Sequence, residues 1–190
     1  DPGNGVPYPG SICTSINEEM VHGIPGNRKL REGDIISVDC GTVYQGYVGD
    51  SAFTVGVGEI SKQAQSLIDT TKQALEIAIS KMVIGNRSGD VGAAIEAHVE
   101  SQGFYCTHTY TGHGVGRSMH EGPQLPNYGK PGTGFVLREG MTIAIEPMVL
   151  VGGRRTRVLR DRWTVVNANG GLTAHQEHTI AVTKDGPLVL

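Results

Sequence analysis

The stretch LREGDIISVD at residues 30–39 recurs in altered form as LREGMTIAIE at residues 137–146. Each copy begins with Leu-Arg-Glu-Gly, continues as an apolar run, and ends on one acidic residue. These acids are Asp39 in the first copy and Glu146 in the second. The repeat therefore predicts two related halves that present carboxylates at equivalent positions.

Two further apolar runs, GDSAFTV and QEHTIAV, carry Asp50 and Glu177 near their starts. A turn between Tyr44 and Gln45 would place Asp39 directly opposite Asp50 on antiparallel strands, with Cβ atoms about 4.5–5.5 Å apart. Carboxylates that close repel each other unless a cation lies between them. Two carboxylates from each half therefore favour two divalent metal ions, and Mn²⁺, Fe²⁺, Co²⁺ or Zn²⁺ suits such ligands.

The pattern along the chain predicts an α+β fold, an antiparallel β-sheet backed by helices. Residues 1–29 read as loop-rich, and Ser61 is a candidate N-cap for the first helix. Helical spacing covers Ser61–Val83 and Ser88–Gln102, whereas apolar and β-branched strand patterns cover Asp34–Asp39, Tyr47–Val57, a strand from Phe104, Met141–Val151, Trp163–Val166 and Glu177–Val182.

The 190 residues suit one domain, 1–190, built from halves at about 1–60 and 61–190. A helix pair precedes the second carboxylate hairpin, but about 30 loop-like residues precede the first. Pseudo-twofold symmetry therefore predicts a missing N-terminal helical segment. The alternative is that the two halves were never symmetric.

Composition excludes several classes of function. The net charge of −3 gives no general nucleic-acid signal, and the apolar runs are shorter than the ~18 residues of a membrane span. The first residues show no signal-peptide pattern. Three cysteines outside any CxxC pattern argue against a disulfide framework. We expect a cytoplasmic monomer without a membrane partner.

Three histidines are candidates for the chemistry. His113 lies in GHG, where flanking glycines allow a close backbone approach, and it would complete the carboxylate ligand set. His22 in VHGIPG and His120 in MHEGP are either ordinary loop residues or donors to a substrate carbonyl oxygen. The weaker candidates are His98, His108, His175 and His178, of which His178 could be drawn to the site by its neighbour Glu177.

Five motifs, in this order, resemble those of the methionine aminopeptidases, which have the pita-bread fold. They are VHGIP, the Asp39 and Asp50 pair, GHGVGRSMHEGP, MTIAIEPM and QEHTIAVT. The resemblance runs from about Tyr8 to the C-terminus, and the segment before Tyr8 departs from the family pattern. Only 31 positions separate Glu146 from Glu177, so the chain resembles type I, which lacks a large insertion there.

The resemblance implies an enzyme that removes the N-terminal methionine of nascent proteins and peptides when the second residue is small. It implies two divalent metal ions, with Asp50 and Glu177 bridging both and Glu146 also moving a proton. The implied metal ligands are Asp39, Asp50, His113, Glu146 and Glu177.

The resemblance also implies a substrate site. His22 would contact the substrate, and His120 would face the carbonyl of the bond that is cut. The methionine pocket would be lined by Tyr8, Cys13, Met119 and Trp163. Met119 stands where an aromatic residue is frequent, and a flexible thioether can still pack against the thioether of a methionine substrate.

Two rival interpretations remain. One is a proline-directed peptidase of the same fold, similar to aminopeptidase P or prolidase, and the other is a binding module that has lost catalysis. A run of arginines between the last strands reads either as a solvated hairpin or as a surface for docking on the ribosome. The run comprises Arg154, Arg155, Arg157, Arg160 and Arg162.

Overall fold

Antiparallel strands and two helices make up the structure, a computed structural model that describes residues 5–190. Residues 1–4, the start of the segment that departs from the family pattern, lie outside the described part. In chain order the elements are β1 (Cys13–Ile16), β2 (Glu19–Val21), β3 (Ile35–Tyr44), β4 (Tyr47–Gly56), α1 (Lys62–Lys81), α2 (Ser88–Ser101), β5 (Tyr105–Cys106), β6 (Thr111–Gly114), β7 (Glu121–Pro126), β8 (Thr142–Ile145), β9 (Met148–Leu150), β10 (Thr156–Val158), β11 (Val165–Asn167), β12 (Thr173–His175), β13 (Glu177–Thr183) and β14 (Gly186–Val189).

The largest sheet has the strand order β1-β3-β4-β13-β8-β6-β7, with β14 added on β13, and its neighbours are antiparallel. Two three-stranded sheets, β10-β11-β2 and β12-β9-β5, complete the arrangement. The contact between β4 and β13 joins an early segment of the chain to a late one. Its ladder is short, because it pairs only Ala52 with Glu177 and Ser51 with His178.

The two helices cover one side of this sheet, as the sequence predicts. Leu67 of α1 and Ile95 of α2 share a buried apolar cluster with Ile143 of β8 and Ile180 of β13. Ser61 is the N-cap of α1, because its Oγ accepts a hydrogen bond of 3.1 Å from the backbone N–H of Ala64. The α+β prediction is confirmed.

The β3–β4 turn lies one residue later than predicted, so the predicted register of the hairpin is wrong by two residues. The turn lies at Gln45 and Gly46, whose φ values of 50° and 83° are typical of a two-residue turn of the primed type. Asp39 therefore pairs with Ala52, and Asp50 pairs with Gly41. Because strands alternate faces with a period of two, the two aspartates still lie on one face, as diagonal neighbours.

Most of residues 5–29 form loops, as predicted for residues 1–29, but two short strands that the sequence pattern does not reveal, β1 and β2, lie among them. Both strands are short and carry polar residues, so their own pattern is weak. They form because distant strands offer partners. Strand β1 pairs with β3, and β2 pairs with β11.

The outer face of β4 lacks the cover that α1 and α2 give to β8 and β13. Phe53 and Val55 on this strand are 50% and 44% exposed. Equivalent apolar positions on β13, Ile180 and Val182, are buried beneath the helices. The pseudo-twofold division at about residue 60 remains a prediction.

Candidate active site

Five neighbouring strands of the large sheet bring the five sequence-predicted metal ligands to one place. These strands, β3, β4, β13, β8 and β6, are consecutive in the sheet. In that order they supply Asp39, Asp50, Glu177, Glu146 (which directly follows β8) and His113. Residues from four well-separated parts of the sequence thus converge because of strand order.

The distances define a cluster of oxygen and nitrogen atoms. Single ligand atoms of Asp50, His113 and Glu177 all lie within 4.8 Å of one another. His113 Nε2 is 3.8 Å from Asp50 Oδ2 and 3.5 Å from Glu146 Oε1. Asp39 stands beside Asp50, and burial together with the Asp50 carboxylate raises the pKa of Asp39 to about 7.

The hydrogen bond on the far side of His113 fixes which nitrogen faces the acids. Its Nδ1 lies 2.9 Å from the carbonyl oxygen of Gly114. A carbonyl can only accept, so Nδ1 carries the hydrogen and the Nε2 lone pair is directed at Asp50 and Glu146. A ligating imidazole has this arrangement, because its other nitrogen donates to a fixed acceptor.

The charge of the cluster fits a bound cation. Burial, followed by repulsion from the other acids, raises the pKa of Glu146 and of Glu177 well above the usual range, and burial also raises that of Asp50. Within residues 5–190, the basic side chains within 4.0 Å of these three carboxylates are imidazoles rather than Lys or Arg. Carboxylate oxygens plus one imidazole form a donor set that suits divalent metal ions.

Polar side chains fix the backbone of three of the acids, Asp50, Glu177 and Glu146. The Thr179 hydroxyl accepts the Asp50 N–H at 2.9 Å and donates to the Asp50 carbonyl at 2.9 Å. Ser51 Oγ donates to the Glu177 carbonyl at 3.0 Å. Asn127, fully buried, donates from Nδ2 to the Glu146 carbonyl at 2.9 Å. The acids therefore project from anchored strand positions.

The glycines around His113 allow close packing of neighbouring backbone. A Cβ atom on Gly112 would lie 2.5 Å from the Ala144 carbonyl oxygen, and one on Gly114 would lie 2.4 Å from the Gly122 carbonyl oxygen. Neither position tolerates a side chain while the strands keep this spacing. The prediction that GHG serves close backbone approach is confirmed.

The six residues predicted for the substrate pocket line one cavity of about 290 Å³. They are Tyr8, Cys13, His22, Met119, His120 and Trp163. Asp39 and Asp50 line it as well, so the cavity opens onto the carboxylate cluster. Its aromatic wall is formed by Trp163, whose ring packs edge-on against Tyr8 at 5.2 Å and against His22 at 6.1 Å between centroids.

His22 and His120 lie where the cavity meets the cluster. Both also line an adjoining cavity of about 520 Å³ that reaches His113 and Glu146. The His120 ring lies 4.4 Å from the His113 ring between centroids. His22 has φ 59°, a left-handed conformation that is uncommon outside glycine, and its Nδ1 is buried without a partner in the described residues.

Sequence reasoning missed two residues of the site. His175, rated a weak candidate, is 1% exposed, and its Nε2 lies 3.6 Å from Glu146 Oε2. The period of two along the strand was the available signal, because His175 shares a face with Glu177. His178 lies on the other face, with Nδ1 3.4 Å from Ser51 Oγ. Gly41 was also missed; a Cβ there would lie 2.0 Å from Met119 Cε.

The arginine-rich segment is attached to the rest of the structure through Arg154. Arg154 pairs with Glu100 at 2.6 Å and with Glu96 at 3.6 Å, which attaches the arginine-rich segment to α2. All three cysteines are free, as expected. Among residues 5–190, no helix has the length and hydropathy needed to cross a membrane.

Comparison with known proteins agrees with this geometry. The model of metallopeptidase family M24 matches residues 2–184. The methionine aminopeptidase of Clostridium acetobutylicum is 51% identical over 184 residues, an alignment that covers 96% of this chain and 74% of the relative. The crystal structure of methionine aminopeptidase from Thermotoga maritima superposes with a TM-score of 0.92 at 52% identity, covering 94% of this chain and 72% of that chain.

The proline-directed branch is more distant. Prolidase from Thermococcus sibiricus superposes with a TM-score of 0.75 at 25% identity, and the match covers 94% of this chain but 44% of that one. The rival interpretation therefore shares the fold but has less sequence in common. Given the family match and relatives of this identity and coverage, the chain belongs to the methionine aminopeptidases of metallopeptidase family M24, with the pita-bread fold that its sequence motifs predict.

Proposed function

We propose that the chain is a dinuclear metal-dependent aminopeptidase that removes the N-terminal methionine of proteins and peptides whose second residue is small. The observation that carries this proposal is a buried cluster of carboxylates and one imidazole that opens onto an apolar-walled cavity. Residues 1–190 would act as one catalytic domain. The relatives in the comparison carry the same activity in their names.

Five residues would hold the ions: Asp39, Asp50, His113, Glu146 and Glu177. Four carboxylates match the charge of two divalent cations, and Asp50 and Glu177, which lie on the paired central strands, suit the bridging positions. When bound, such ions polarise a peptide carbonyl and lower the pKa of water. Reconstitution with Mn²⁺, Fe²⁺, Co²⁺ and Zn²⁺ in turn identifies the ion that supports catalysis.

The protein's own groups would orient the substrate and move the proton. His120 and His22 line both cavities beside the cluster, so their ring nitrogens can bind the carbonyl oxygen and the backbone of a peptide. Glu146 faces His113 through Oε1 and has a pKa raised by burial. A carboxyl group of that kind can accept a proton and return it to the departing amine.

The cavity accounts for selection of methionine. Its walls combine the Trp163 and Tyr8 rings with the Met119 thioether and Cys13. A thioether side chain packs well against sulfur and aromatic edges because it is flexible and polarizable. Gly41 leaves the space that the end of Met119 occupies. A substrate side chain branched at Cβ or Cγ would fit this wall less well.

Further aspects of the proposal concern the setting. We propose that the protein acts as a monomer in the cytoplasm on emerging peptide N-termini, which agrees with three free cysteines. Docking on the ribosome through the arginine-rich segment would show as salt-sensitive binding. Arg154 is already engaged by Glu96 and Glu100, so Arg155, Arg157 and Arg160 would make the contacts.

The test is hydrolysis by metal-free protein reconstituted separately with each of the four ions. We expect release of methionine from Met-Ala-Ser, at least tenfold slower cleavage of Leu-Ala-Ser, and none of Ala-Pro. Cleavage of Ala-Pro alone would favour the prolidase-like alternative, and metal binding without any hydrolysis would favour the binding module. Full activity of His113→Ala would contradict the metal-dependent mechanism.

A further inference from the structure

His175 is a buried polar residue that the proposed mechanism does not use. It ends strand β12 and is 1% exposed. Neither ring nitrogen has a hydrogen-bond partner within the described residues. Its Nε2 nevertheless lies between two acids of the cluster, 3.6 Å from Glu146 Oε2 and 3.8 Å from Glu177 Oε2. Burial of a polar ring without hydrogen bonds costs free energy, so a favourable interaction with the acids must offset its lost solvation.

The backbone holds the ring in this position. The Thr54 hydroxyl, on β4, accepts the His175 N–H at 2.8 Å and donates to the His175 carbonyl at 2.8 Å. Strand pairing with Met148 of β9 fixes the same residue from another side. His175 therefore faces Glu146 and Glu177 from a position that three strands determine.

The two acids that face His175 determine which of its ring nitrogens carries the hydrogen. A neutral imidazole has one N–H donor and one lone pair. Metal binding requires ionised Glu146 and Glu177. A lone pair on Nε2 would then face two carboxylate oxygens and repel them, whereas an N–H there attracts both. The tautomer that the surroundings favour is therefore Nε2–H.

His175 differs from His113 in the surroundings of Nδ1. His113 donates its Nδ1–H to the Gly114 carbonyl, which leaves Nε2 free to bind a metal ion. If His175 bound an ion through Nε2, its Nδ1–H would be buried without an acceptor. The two histidines are thus complementary: one offers a lone pair to the centre, and the other offers a donor.

We propose that His175 is a positioning residue whose Nε2–H bridges the carboxylates of Glu146 and Glu177 and holds them in the orientation that binds metal. The Glu146 carboxylate would then lie between two imidazoles, with Oε1 facing His113 and Oε2 facing His175. A movement of about 0.5 Å brings either contact into hydrogen-bond range. The inference rests on the proposed metal-dependent function and adds a residue to it.

The experiment compares His175→Leu with His175→Gln. Leucine keeps apolar volume in the buried site but has no donor, whereas a glutamine amide can donate from about the position of Nε2. Mn²⁺ is titrated calorimetrically into the metal-free forms of both variants and of the parent chain. Removal of such a supporting partner costs about 10- to 100-fold in metal affinity. We expect that loss for leucine and a change below about threefold for glutamine.

Two controls separate positioning from other effects. His108→Leu removes an imidazole–carboxylate contact outside the site, Nε2 to Glu96 Oε1 at 3.0 Å, and should leave Mn²⁺ affinity unchanged. Thermal unfolding of the metal-free variants reports folding. If the leucine variant proves unfolded, two measurements on the glutamine variant replace it: its Mn²⁺ affinity and the visible spectrum of its Co²⁺ form. Together they decide whether His175 positions the two acids or is itself a metal ligand.

Two outcomes would overturn the proposal. Parental Mn²⁺ affinity in folded His175→Leu would show that the bridge has no role, and a changed Co²⁺ spectrum with lost affinity in His175→Gln would show that His175 is itself a ligand. Failure of the proposed function is distinguishable, because it would leave the parent chain binding Mn²⁺ without cleaving Met-Ala-Ser.

Discussion

At the scale of single residues, burial shifts pKa values in the site in two opposite directions, upward for the acids and downward for His22 and His175. Burial and the Asp50 carboxylate raise the pKa of Asp39 from 3.8 to about 7. Burial lowers the pKa of His22 to about 4 and that of His175 to about 3, from 6.5. The acids therefore favour folding when protonated, and the histidines favour it when neutral.

The directions of these pKa shifts predict how the stability of the metal-free protein depends on pH. Below pH 6.5 the histidines add stability as pH rises, which opposes the effect of the acids. Above pH 6.5 they are neutral in both states, and only the acids with a raised pKa still titrate. The stabilising contribution of protonated Asp39 is complete below pH 4 and is lost through pH 7. Thermal unfolding should therefore show a falling midpoint from pH 6.5 to 8.

Asp39→Asn provides the control, because an amide does not titrate in this range. The slope of the midpoint against pH should be smaller in this variant than in the parent chain. Saturating Mn²⁺ at pH 8 should restore the midpoint of the parent, since bound cations replace the protons. A midpoint that rises between pH 6.5 and 8 without metal would contradict the prediction.

At the scale of secondary-structure elements, local pattern predicted some parts of the site and failed for others. The helix that starts at Ser61 and the apolar strands that carry the acids depend on neighbouring residues, so the sequence predicts them. The register that pairs Asp39 with Ala52 depends on the left-handed conformations of Gln45 and Gly46. Strand β1 forms because β3 offers it a partner.

The site residues also divide into those that the local sequence reveals and those that depend on distant partners. The five predicted ligands and six predicted pocket residues lie together, because the family motifs carry their positions. His175 was ranked low because nothing near it in sequence reveals that Thr54, 121 positions away, fixes its backbone. Long-range hydrogen bonds of this kind leave no local periodicity. Their detection needs the sheet order.

Thr54 allows a test of this long-range contact between β4 and β12. Its buried hydroxyl contacts both backbone groups of His175 and lies 2.8 Å from Ser37 Oγ. Thr54→Val keeps the shape and leaves those groups unpaired. We expect a loss of about 1–3 kcal/mol in the free energy of unfolding, measured in urea, together with weaker Mn²⁺ binding.

Thr42→Val is the matched control for that change. Thr42 lies on the partner strand β3 of the same hairpin, with its side chain exposed. Exposed substitutions of this kind alter stability by less than about 0.5 kcal/mol. Equal losses in the two variants would mean that the Thr54 hydroxyl does not stabilise the β4–β12 contact.

At the scale of the whole molecule, the site bridges the junction between β4 and β13. Only two residue pairs form that ladder. Side chains reinforce it, through Thr179 on Asp50 and Ser51 on Glu177. Contacts between segments this far apart in sequence are slow to form, because chain closure must precede them.

We therefore expect bound metal to act on unfolding rather than on folding. At an ion concentration of about 100 times Kd, the added stability is about 2.7 kcal/mol, equivalent to a 100-fold change in rate. We expect the site to form after the rate-limiting step, so the change should appear in the unfolding rate alone. Stopped-flow denaturant jumps with and without Mn²⁺ measure both rates. Faster refolding with Mn²⁺ would place site formation before the barrier.

The position of β13 between β4 and β8 has a consequence for biosynthesis. Ribosomes make β1, β3 and β4 long before β13, so β4 lacks one sheet neighbour until residues 177–183 emerge. A nascent chain stopped before Glu177 has three of the four acids and an open strand edge, which invites pairing with other chains. Premature termination should therefore yield aggregated, inactive polypeptide instead of a weakened enzyme.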